Sequence, residues 1–282
     1  LPFATDEIGV LICPADHSAA ASREARDLQQ LIERTVAGAN LSAHVEVQLA
    51  YPVNTEEQAR VLVGDRRATV VVWKESAAFH GKLSETYHMT SPGAATGKIA
   101  TDPVDLMLVM LTDGTFSLKR SYDQGSAGIW PLAREVVTPL TIGMVFWSAN
   151  DPLMAATMID KAGAAKGLEP SERAALHQYA AAAMLALDRP DLAEDQLKQA
   201  VTLMPATNIA LAEGVIAMAR REWDDAEDDF MQAISDDPSS PAAYCGLSAV
   251  LSVKLDAERA VRAAQQAIAL NDELAAPYAF LG

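Results

Sequence analysis

The sequence predicts an α+β chain of two domains. An amino-terminal α/β domain with a mixed sheet (βαβαβ plus a hairpin) spans residues 1–125, and an all-α superhelix of paired helices spans residues 126–282. Three observations predict it. Short Val/Ile/Leu-rich runs alternate with helical segments at the start of the chain, the rhythm of a parallel sheet. Alanine markers in the second half recur at steps of 33 and 34 residues, from Ala193 to Ala226 to Ala260. Charge is unevenly placed as well: residues 136–282 carry −11 of the net −16, which points to two bodies with different surfaces.

In the first domain, "EIGVLICPA" (7–15), "HVEVQLAYPV" (44–53) and "ATVVVWKES" (68–76) are the three strands of the βαβαβ unit. Ala21, Ala25, Leu28, Ile32 and Val36 make one apolar face of the first helix, and Thr55 with Gln58 reads as a capping box that opens the second. "KLSETYHMT" (82–90) alternates in polarity. "VDLMLVMLTDGTFSLKRSY" reads as two strands around an Asp113-Gly114 turn, a hairpin signal. Trp130-Pro131 begins the helices.

In the second half Ala226, Phe230, Ala233 and Pro238 stand at fixed intervals, with Gly214 twelve residues before Ala226. The set recurs as Ala181, Ala193, Leu197, Ala200 and Pro205, and again as Tyr244, Leu247, Ser248, Ala260 and Ala267. A weaker copy, Ile142-Gly143, Ala155, Ile159 and Ala162, comes first. Its step of 38 to the next puts about four extra residues around Gly167-Leu168-Glu169-Pro170. Paired antiparallel helices approach closely only where Gly, Ala or Ser occupies the crossing, and one large side chain then fills the space between neighbouring pairs.

This pattern resembles the tetratricopeptide repeat. The resemblance implies that the first helix of each repeat lines a concave recognition face, and register carries that face onto Leu140, Met144 and Trp147, then Gln178 and Leu185, then Asn208, Leu211, Val215 and Met218, then Ala249 and Val253. The line is apolar. It lacks the Lys and Arg that clamp a peptide's terminal carboxylate in the chaperone-cofactor members of the family. The partner expected is therefore a protein or peptide with an apolar face, such as an amphipathic helix or a segment of the chain's own first domain. The acids of "WDDAEDDFMQAISDD" (223–237) read as a solvated outer face, because the segment has no glycine-containing calcium loop with a closing Glu.

The first-domain layout resembles the small TolB-amino-terminal-like α/β domain that precedes repeat arrays in bacterial proteins. A caspase-like or CHAT peptidase domain also pairs with such repeats, and His80-Gly81 stands where its histidine would. The resemblance fails at the nucleophile: Thr112-Asp113 occupies the place of the cysteine, and Cys13 and Cys245 lie elsewhere. Cys13, Asp16 and His17 cluster at the carboxyl end of the first strand, where open α/β sheets bind ligands, but no oxyanion motif or third catalytic member accompanies them.

Other classes are excluded more directly. A net charge of −16 argues against a grip on nucleic acid. No uninterrupted apolar run of the roughly 18 residues needed to span a bilayer occurs. No metal spacing or phosphate-binding fingerprint is present, so no cofactor is expected. The first residue is Leu1 and the last helix start, with Tyr278, Phe280 and Leu281, has no second helix after it. The expectation is a piece of a longer chain, or an edge through which copies self-associate. The reading is a soluble, cytoplasmic chain, with an anchored extracytoplasmic fragment as the alternative. In function it is a non-enzymatic interaction scaffold; the alternative is a signalling or effector protein whose α/β domain senses a small ligand or is a degenerate peptidase.

Overall fold

The computed structural model describes residues 2–4, 7–39, 41, 43–79, 82–90, 115–123, 128–204 and 209–270. Two compact units divide the chain, Leu1–Pro92 with Gly114–Glu172, and Gly93–Asp113 with Arg173–Gly282.

Among the described residues the first unit is built on a five-stranded sheet in the order β2-β1-β3-β4-β5, with β1 at Glu7–Ile12, β2 at His44–Leu49, β3 at Val70–Phe79, β4 at Lys82–Thr90 and β5 at Thr115–Asp123. β1 pairs in parallel with β2 and β3, while β3–β4 and β4–β5 are antiparallel. Helix α1 (Ala19–Ala37) returns the chain from β1 to β2, and α2 (Glu56–Arg66) returns it from β2 to β3. Because β2 and β3 flank β1 on opposite sides, right-handed crossovers put the two helices on opposite faces.

The expected face of α1 is buried at all five positions, Ala21, Ala25, Leu28, Ile32 and Val36. On the other side Leu11, Cys13, Val71 and Trp73 pack with Ala59, Leu62 and Val63 of α2. Thr55 caps α2, its Oγ1 accepting from Gln58 N at 3.2 Å, and Gln58 Oε1 accepts in return from Asn54 N at 3.0 Å. The reciprocal bond thus lands one residue earlier than in a standard capping box.

β4 and β5 complete the sheet as antiparallel strands. β3 runs on to Phe79 and pairs with β4, Phe79 opposite Lys82. β5 finds its partner in β4, Thr115 opposite Thr90. The other strand of the expected Asp113-Gly114 hairpin, at 104–112, lies outside the described residues. Helix α3 (Trp130–Ser148) packs on α1 and on β3 and β4, and α4 (Pro152–Gly163) packs on α3.

Helices continue in pairs through α5 (Pro170–Ala186), α6 (Pro190–Leu203), α7 (Ile209–Arg220), α8 (Trp223–Asp236), α9 (Pro241–Val253) and α10 (Ala257–Leu270). The turn inside each of the four pairs is the same. Asn150, Asp188, Arg221 and Leu255 adopt positive φ of 60°, 56°, 64° and 62°. The next N–H then reaches back to the helix: Asp151 to Phe146, Arg189 to Met184, Glu222 to Ala217 and Asp256 to Leu251, at 2.9 to 3.0 Å. These are Schellman-type closures, which satisfy carbonyls that the helix end leaves free.

Packing between helices follows the marker residues. Ala155, Ile159 and Ala162 of α4, Ala193, Leu197 and Ala200 of α6, Ala226, Phe230 and Ala233 of α8, and Ala260 and Ala267 of α10 are all buried. Gly143 stands against Ala155 and Ile159, and the Phe230 ring lies between Gly214 of its own pair and Gly246 of the next.

Candidate functional site

The described residues among those expected to line the recognition face fall on first helices of pairs, but most of them have little surface. In the first unit Leu140 and Met144 of α3 are buried and Trp147 is half-buried. In the second, Leu185, Leu211, Met218 and Ala249 are buried, Val215 retains 1 % of its surface, and Val253 retains 52 %. Gln178 is half-buried. Asn208, and the edge residues Tyr278, Phe280 and Leu281, lie outside the described residues. Most of the described side chains on this line in the second unit are thus covered. Burial leaves Gln178 and Val253 as its accessible members.

The acids of α8 are not uniformly a solvated face. Asp225, Asp228, Asp236 and Asp237 are exposed, but Glu227 is buried and doubly paired, with Lys254 Nζ at 2.6 Å and a guanidinium nitrogen of Arg259 at 2.6 Å. Lys254, just past the end of α9, also donates to Asp224 at 2.6 Å. One repeat earlier, Arg220 at the end of α7 donates to Asp191 and Glu194 of α6, both at 2.7 Å. The same clamp thus occurs twice: a cation ending a first helix grips two acids in the opening turns of the preceding second helix. Hydrogen bonds from Lys254, then those from Arg259, hold the Glu227 carboxyl below the usual range, and those from Lys198 and Arg220 do so for Glu194. Those acids also sit where the helix dipole favours negative charge.

At the carboxyl end of β1, Cys13 is buried and desolvation pushes its thiol up to about 12. Asp16 accepts from the Ser18 amide at 2.7 Å, and Ser18 Oγ caps α1 by accepting from Ala21 N at 3.1 Å. Both residues thus serve the turn into α1. Nearby, the buried Lys74 pairs with Glu85 at 2.5 Å and Glu24 at 3.0 Å, and the Tyr87 hydroxyl donates to Glu24 at 2.8 Å. This group ties α1, β3 and β4 together and occupies the place where an α/β sheet would take a ligand.

A second ion pair joins a half-buried arginine of β5, the last of the described strands, to a buried glutamate. Arg120 of β5 meets the buried Glu172 through two parallel bonds of 2.5 and 2.7 Å, and Glu172 also accepts from the amides of Lys119 at 3.2 Å and Glu169 at 2.8 Å. Arg120 donates as well to the carbonyl of Gly167, which has φ of +88°. Gly167, in the stretch where this repeat is lengthened, thus supplies a carbonyl to the sheet's arginine. Sequence reading finds the insertion and misses its partner.

Two clefts flank these elements. One of about 590 Å3 lies between α1, α3 and α4 in the first unit, with Thr35, Arg134, Thr138 and Lys161 in its wall. Another, of about 460 Å3, lies between α6, α7 and α8 in the second. No described helix is long and apolar enough to cross a membrane. Among the described residues no group of three or more His, Cys, Asp or Glu is placed to hold a metal ion.

No protein-family model matches the chain, and no curated protein matches it. Among solved structures it is similar to two crystal structures of MamA, each 22% identical over 51% of this chain, covering 83% and 78% of those chains at TM-scores of 0.36 and 0.35. At those scores the likeness bears on neither partner nor activity.

Proposed function

We propose that the chain is a non-enzymatic protein-interaction scaffold of the tetratricopeptide kind, whose repeats begin at about residue 126 and take a protein or peptide with an apolar face on the first-helix side. Two observations carry the reading. The Phe230 ring lies between two glycines of successive first helices, and the same left-handed turn closes all four pairs. The Phe230 contact ties α7, α8 and α9 to one another, which supports an array in which equivalent first-helix positions stand in line. Such an array offers one continuous recognition surface instead of a pocket.

Burial refines which residues meet the partner. Gln178 and Val253 offer contact area, whereas Leu185, Leu211, Val215, Met218 and Ala249 shape the face from beneath. Val215→Asp would bury an unpaired carboxylate and act on folding, so it is no test of the face. The non-enzymatic part is supported by Cys13, a buried side chain whose thiol desolvation pushes up to about 12.

The test is photo-crosslinking in the source cells, with a benzophenone amino acid placed at Val253 in one variant and at the exposed Asp228 in another. The expected result is a discrete adduct of defined mass from Val253 and none from Asp228. Equal adducts from both positions, or none from Val253, would sink the reading.

A further inference from the structure

We propose that the cleft between α6, α7 and α8 is a second docking surface, on the side of α7 away from Leu211, Val215 and Met218, and that it takes a lysine- or arginine-bearing amphipathic segment of a protein partner. The cleft holds about 460 Å3. Its floor is aliphatic: Leu197, Ala212 and Ile216 are buried, and Ile209 at the mouth is partly exposed. Its wall carries Glu213, Asp225 and Asp229.

Those three acids have no ion-pair partner among the described residues. The two cations that line the cleft are already engaged, Lys198 by Glu194 and Arg220 by Glu194 and Asp191. An aliphatic floor beside an unneutralised acidic wall matches a basic side chain, whose methylene stem covers apolar surface while its charged head reaches the acids.

The next repeat shows that the fold does not require these acids. Register puts Leu247 where Glu213 stands, Arg259 where Asp225 stands and Ala263 where Asp229 stands. There Arg259 neutralises Glu227 from within the chain. In the cleft the acids are left to crowd one another: burial first, then Glu213, Asp225 and Asp228, hold the Asp229 carboxyl above its usual range. A charge kept where it costs stability is one that an incoming cation relieves.

The probes are two fluorescein-labelled helical peptides of the same leucine pattern, one with lysine and one with glutamate at its polar positions, titrated into the full chain by fluorescence anisotropy. The lysine peptide is expected to bind saturably at one site and the glutamate peptide not at all. Glu213→Gln with Asp229→Asn should weaken binding at least about tenfold, and Thr202→Trp, which plugs the cleft without changing charge, should do the same. Asp236→Asn with Asp237→Asn removes equal charge from the exposed end of α8 and controls for bulk attraction to an acidic chain. Circular dichroism verifies that each variant is folded. Equal weakening by the control pair, or full binding by Thr202→Trp, would overturn the proposal.

Discussion

The ring of Phe230 lies so close to Gly246 of the next repeat that a β-carbon there would overlap it. Phe230 has no exposed surface, so the ring cannot swing out of the way. Gly246→Ala gains about 1 kcal/mol of helix propensity but overpacks a closed site, which costs about 1–3 kcal/mol. The expected net result is a lower urea midpoint. Phe230→Ala should cost about 3–5 kcal/mol. In a Phe230→Leu background Gly246→Ala should become neutral or stabilising, and a loss as large as in the wild type would show that the ring is not what excludes the methyl.

The clamp on Glu227 makes stability depend on pH with a definite sign. Its folded carboxyl lies below the unfolded value because Lys254, then Arg259, donate to it. The stabilisation is therefore present above the unfolded range, about pH 4, and is lost as pH falls through the lowered value. Glu227→Gln should cost about 1 kcal/mol at neutral pH, and its midpoint should approach the wild type in acid. Asp229 has the opposite sign, since its folded carboxyl is raised. Asp229→Asn should stabilise the chain at neutral pH by roughly 0.5 kcal/mol, an advantage that vanishes on acidification. Thermal midpoints across the acid range check both.

Leu255 holds φ of 62° with 89 % of its surface exposed. A left-handed backbone costs an L-residue about 1–2 kcal/mol, part of which glycine returns through its freer unfolded chain. Leu255→Gly should raise stability by about 0.5–1 kcal/mol, read as a higher urea midpoint. A drop would mean that the side chain makes contacts its exposure does not suggest.

Glu172→Gln should break the bidentate pair with the half-buried Arg120 and cost about 1.5–3 kcal/mol. Hydrogen exchange localises the effect. Faster exchange at the Lys119 and Glu169 amides, both bonded to Glu172, is the expected outcome, and unchanged protection there would count against the pair as the anchor of this loop.

Much of the fold was written locally. The period of Ala21, Ala25, Leu28, Ile32 and Val36 specifies which side of α1 is buried, because a helix brings those positions onto one stripe. Ala226, Phe230 and Ala233 announce a repeat because close helix crossings admit few side chains at those points. The β3–β4 hairpin was not readable: the second half of β3, "KESAAF", lacks a β-branched run, and its link carries no Asn-Gly or Asp-Gly signal. The four left-handed turns were hidden likewise, since Asn150, Asp188, Arg221 and Leu255 stand where a glycine would have marked them.

By itself the sequence determined the helix pairs, their register and the parallel half of the sheet, because those rest on periodicity and on small residues at fixed spacing. Only the tertiary structure decided what the charged and apolar side chains meet. Arg220 and Lys254 reach acids 26 to 30 residues back, and Arg120 reaches Glu172 across 52. Val215 and Val253 share one expected face yet differ from buried to half exposed. Pairing and burial depend on which surfaces other parts of the chain cover, and no local pattern encodes that.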